Sequence, residues 1–134
     1  MTQSNTKTGL HTRINLPIEQ AIEKVTDALK EEGFGILTEI DVKSTLKKKL
    51  DVDFQKYMIL GTCNPSLAHQ ALNTDLEIGL LLPCNVIVYE DDGASVVSTV
   101  DPVTMLGVAE KPALRSVAVE ARTRLQRVIE VLGS

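Results

Sequence analysis

The sequence predicts an α+β fold: an antiparallel sheet of about five strands, with two long helices packed on one of its faces. Three observations lead there. Two segments, near residues 18–29 and 114–132, repeat apolar residues at spacings of three and four, which is one stripe on a helix. Several short runs between them are rich in Val, Ile and Leu and suit strands. Asp91-Asp92-Gly93 joins two of those runs by a tight turn, which makes them a hairpin.

Taken in order, residues 1–6 (Met-Thr-Gln-Ser-Asn-Thr) offer little to bury and read as a disordered tail, leaving a single domain over 7–134. Residues 7–14 suit a first strand carrying Leu10 and Ile14. Pro17 fits a helix start, and Ile18, Ile22, Val25 and Leu29 form the stripe, with Ala21 and Ala28 beside it. Glu19 and Glu23 near the start and Lys30 at the end suit the helix dipole, and Gly33 is a left-handed stop. Residues 34–40 form a second strand. Asp41 caps a short helix that turns Val42, Leu46 and Leu50 inward and Lys43 and Lys47–Lys49 outward, as a solvated face.

Residues 56–62 give the third strand, and Asn64 with Pro65 caps and opens a short helix to about residue 72. Strands over 83–90 and 94–100 form the hairpin. Residues 103–111 lack periodicity and read as a loop or a frayed turn. Pro112 opens the last helix, where Glu120 stands four residues before Arg124 in the favourable orientation for an ion pair. The order is β-α-β-β-β-β-α with two short extra helices, without internal repeat or linker.

Composition narrows the function. A charge of −4, two Tyr, two Phe and no Trp count against nucleic acid, which calls for basic surface and stacking platforms. No apolar run approaches the length of a membrane span, and Met1 to Gly9 is too polar for a secretory signal. The expectation is a cytoplasmic protein with both cysteines kept as thiols. No Ser-His-Asp order, phosphate-binding glycine loop or nucleotide fingerprint is present, so no catalytic residue can be assigned.

The candidate site is two Cys-Asn pairs at strand edges. Cys63 precedes a helix N-terminus, where unpaired N–H groups favour a thiolate, and Cys84 opens the next long strand after Pro83. Three readings stand side by side. In one, Cys63, Asn64, Cys84 and Asn85 surround a ligand or metal pocket, with His69 as a further metal ligand beside Cys63 and Cys84. In the second, Cys63 is a redox nucleophile and Cys84 its resolving thiol. In the third, both are small buried residues of an interaction dimer. Two Cys and one His fall short of a closed four-ligand zinc site, and the cofactor stays unassigned.

The run Tyr57-Met58-Ile59-Leu60-Gly61-Thr62-Cys63-Asn64-Pro65, then Leu80-Leu81-Leu82-Pro83-Cys84-Asn85-Val86-Ile87-Val88-Tyr89-Glu90 and Asp101-Pro102, resembles the bacterial and archaeal family catalogued as domain of unknown function 302 (DUF302). The resemblance covers nearly the whole chain. It implies a small α+β fold that tends to dimerise, and supplies no reaction or substrate. Another branch of that family keeps the Asn-Pro and Leu-Pro frames without the cysteines, so a thiol function would belong to the branch this chain resembles. A homodimer is also expected from the residues: Val86 to Tyr89 are apolar in succession, and Val96-Val97 break alternation in the partner strand. Both faces of the hairpin are therefore apolar, and a helix over 65–72 is too short to cover the second.

Overall fold

The computed structural model describes residues 4–5 and 9–133. The expected tail falls outside this range except for Ser4–Asn5 (β1), which pair with His11 and Leu10. The strands are β2 (Gly9–Ile14), β3 (Gly35–Asp41), β4 (Tyr57–Cys63), β5 (Cys84–Asp91) and β6 (Ala94–Val100). The helices are α1 (Ile18–Glu31), α2 (Val42–Leu50), α3 (Pro65–Thr74), α4 (Pro102–Gly107) and α5 (Arg115–Gly133). Short 3₁₀ turns run over Leu76–Leu81 and Pro112–Leu114. The sheet is antiparallel throughout in the order β1-β2-β6-β5-β4-β3, five substantial strands plus the two-residue β1. The α+β class and the long helices on one face are as the sequence predicts.

Cross-strand register separates the two faces. Met58, Val88, Val97 and Thr12 make one row, and Leu60, Val86, Thr99 and Leu10 the next. Both rows point toward α1 and α5, where Val25, Leu29, Leu125 and Ile129 complete the core. Burying each such aliphatic side chain contributes about 1.5–3 kcal/mol, so this layer carries most of the stability. At the far end of α5 a second cluster joins Leu67 and Ala71 of α3, Leu106 of α4 and Val117 of α5.

The long helices α1 and α5 leave the opposite face open. Its rows are Ile40, Ile59, Ile87, Ser98 and His11, then Tyr57, Tyr89, Val96 and Arg13. The short helix α3, expected to shield part of this face, packs on the other side against α5, because Leu67 and Ala71 find their apolar partners there. The helix α2 forms as expected, with Asp41 Oδ1 accepting from the Ser44 N–H at 2.9 Å. It buries no residue, and Leu50, expected inward, is 66% exposed. The stretch 103–111, expected as a loop or a frayed turn, begins with the six-residue helix α4, capped by Asp101, whose Oδ1 accepts from the Val103 N–H at 2.9 Å.

Candidate functional site

The end of β4 and the start of β5 meet α3, α4 and α5 around a cavity of about 340 Å³. Each wall has a local cause. Gly61 lets β4 run close beneath its neighbours: a Cβ there would collide with Thr38 Oγ1 and lie 2.9 Å from Pro83 Cγ. The Leu82–Pro83 peptide is cis and delivers Cys84 opposite Thr62, whose hydroxyl donates to the Cys84 carbonyl at 2.9 Å. Asn64 is buried, its Oδ1 accepting from the Leu67 N–H at 3.2 Å while Nδ2 donates to the Glu32 carbonyl at 3.4 Å. Arg124 Nη1 donates to that same carbonyl at 3.1 Å, so α1, α3 and α5 meet at one oxygen. Asp101 holds α4 to α5 through Arg122, whose Nε donates to Oδ2 at 3.1 Å.

The cavity brings together three of the four expected ligand residues: Cys63, Asn64 and Cys84 all line it. Asn85 does not. It follows Cys84 by one residue, so the pleat turns it to the open face, across from Gly61. His69 does not reach the site either; its Nε2 lies 3.2 Å from Asn73 Nδ2 on an exposed stretch of α3. Among the described residues no group of three His, Cys, Asp or Glu is placed to hold a metal ion. The set Cys63, Cys84 and His69 is therefore not assembled, because Leu67 and Ala71 take the inward side of α3 and leave His69 on another.

The thiols also differ from expectation. Burial raises the Cys63 pKa above its ordinary value, and it pushes Cys84 up to about 11, with the charge of Cys63 adding to the rise. No thiolate is favoured, because burial penalises the charged form, and two first-turn N–H groups of α3 are already engaged. Pro65 has no N–H, Leu67 donates to Asn64 Oδ1 and Ala68 to the Asn64 carbonyl. At neutral pH both cysteines are protonated.

Sequence reasoning missed Met105, Leu106, Val117 and Ala121 as parts of this cavity. The signal available for the first two was Asp101-Pro102, the same cap-then-proline start that correctly opens α3 at Asn64-Pro65.

The family follows from the whole chain. The model described as "Domain of unknown function DUF302" matches residues 10–132. The chain belongs to the DUF302 family. It is also similar to the solved structure of an uncharacterized conserved protein DUF302 from Bacillus stearothermophilus, at 30% identity and a TM-score of 0.86, covering 92% of this chain and 97% of that one. No curated protein matches the chain. The DUF302 frame read from the Asn-Pro, Leu-Pro and Asp-Pro motifs thus corresponds to three cavity borders: the start of α3, the entry to β5 and the start of α4. No helix among the described residues is long and apolar enough to cross a membrane.

Proposed function

We propose that this DUF302 chain is a binding module that holds a small ligand with an apolar body in the cavity between Cys63, Cys84 and the helices. One observation carries the reading. The cavity lies within the usual size range of ligand sites, its walls are almost wholly apolar, and its few polar side chains are already engaged inside the protein. A ligand there would be recognised by shape and desolvation, with no charged group aimed at it. The protonated thiols fit a reducing, cytoplasmic setting and weaken the redox alternative, whose nucleophile needs a thiolate.

The test is uptake of an apolar fluorescent probe such as N-phenyl-1-naphthylamine. Ala71→Phe and Ala121→Phe each fill the cavity from a different helix, and binding is expected to weaken at least about tenfold in both, the loss of roughly 1.4 kcal/mol. Probe binding unchanged in either folded variant would place the ligand elsewhere.

A second reading, the homodimer, has its own support. The open sheet face carries Ile40, Ile59, Ile87 and Val96 together with the stacked Tyr57 and Tyr89, whose rings lie 5.4 Å apart, and Phe54 beside them at 6.3 Å from Tyr57. Three of the chain's four aromatic residues thus gather on or beside this face. Two-fold pairing of this face would bury them. Sedimentation equilibrium at tens of micromolar should give twice 14.6 kDa, and Ile87→Lys should return a monomer. A wild-type monomer defeats this reading.

A further inference from the structure

Sulfur is unevenly placed in this molecule. The chain has two cysteines and three methionines. Both cysteines and Met105 line the one cavity, which has no His, Asp, Glu, Lys or Arg in its wall. Cys63 leaves the end of β4, Cys84 begins β5 opposite Thr62, and Met105 comes from α4, so three separate elements direct sulfur-bearing residues to the same space. Cys63 follows Thr62, the residue paired across the strands with Cys84, so the two cysteines are diagonal neighbours at the β4–β5 edge.

We propose that Cys63, Cys84 and Met105 form a seat for a soft monovalent cation, with Cu(I) as its natural representative. The inference rests on the reading that this cavity admits small species, and it names one class of them. Thiolate and thioether donors select soft ions, and Cu(I) is satisfied by two or three sulfurs. A hard divalent ion would find no carboxylate here, and zinc would lack its fourth ligand and any imidazole. Binding is coordination without electron transfer: each cysteine S–H bond breaks, its proton passes to solvent, and two Cu–S bonds form with the thiolates while Met105 donates a lone pair. The site then carries one net negative charge.

The experiment is an anaerobic titration of the whole chain with Cu(I) against the chromophoric chelator bathocuproine disulfonate, with uptake of the apolar probe followed in parallel. One equivalent of copper should be held, with an all-sulfur shell in X-ray absorption, while Zn(II) is not retained. Cys63→Ser and Cys84→Ser should each weaken binding by more than about a hundredfold, and Met105→Leu, which keeps the apolar volume, by about tenfold. Copper held equally well by the two serine variants would overturn the proposal, as would a shell containing nitrogen. Probe taken up with copper refused sinks the sulfur seat and leaves the cavity reading standing. Copper held with probe refused supports the seat and removes only the apolar-ligand reading.

Discussion

The two faces of the sheet are built from the same residue types and have opposite fates. Leu60, Val86 and Val88 point to one side and are at most 1% exposed, under α1 and α5. Ile59, Ile87 and Tyr89, their immediate neighbours in the chain, point to the other side and stay partly exposed. Ile40, in the same row, is 48% exposed. Apolar character alone therefore does not make a core; a covering element does. On the first face the cover comes from this chain, and stability follows from it. On the second, the apolar surface lies outside the cover of α1 and α5, so further burial there would have to come from association rather than folding.

Substitutions on the two faces separate these roles. Leu60→Ala, wholly buried, should cost about 2–5 kcal/mol in urea unfolding. Ile87→Ala should cost less than about 1.5 kcal/mol at low protein concentration. A loss at Ile87 as large as that at Leu60, and growing with protein concentration, would show that the open face is buried by a second copy. Next in size, Asn64→Ala removes both the cap of α3 and its link to the Glu32 carbonyl, and about 1–2 kcal/mol should be lost. Hydrogen exchange should rise first in α3, while β5 and β6 stay protected.

An alkaline titration gives a smaller effect on the covered side. Both thiols have folded pKa values above 9.0, so the unfolded chain releases these protons first as pH rises. Their contribution is intact below about pH 9 and is lost on the way to about 11, the Cys84 value. The melting temperature should fall across that window, and fall less steeply in Cys84→Ala. A melting curve flat from pH 9 to 11 would mean that Cys84 is in water. The smallest change belongs to the open face: Arg13→Ala breaks a part-exposed pair with Asp91 at 3.2 Å and should cost no more than about 1 kcal/mol.

Much of this contrast was legible in the residues, because it depends on period. The stripe Ile18, Val25 and Leu29 gives α1 at once, and Asp92-Gly93, both at positive φ, turns the hairpin as their types require. Unbroken apolar runs in β5 and β6 indicate two apolar faces. Period says nothing about which side a short helix chooses, and so the placement of α3 and the outward Leu50 were not readable. At the site, Cys63, Asn64 and Cys84 converge because strand ends gather at one edge of a sheet. Asn85 was lost to pleat parity and His69 to helix phase, each a matter of one or two positions. Met105 lies on a helix with too few turns to show a period, announced only by its cap.

The pairing of β2 with β6 has a consequence in time. Ser95 donates its hydroxyl to the carbonyl of Leu16, 79 positions earlier, and Glu32 waits 95 positions for Arg127. Folds that join distant segments in this way close slowly, since a long loop must be tied before any contact rewards it. On a ribosome adding about 5–20 residues each second, β2 remains without its main neighbour for on the order of ten seconds. By the end of that interval the apolar β4 and β5 are made while α5, their lid, is still to be translated. The nascent chain is therefore most open to wrong partners just before its last nineteen-residue helix arrives.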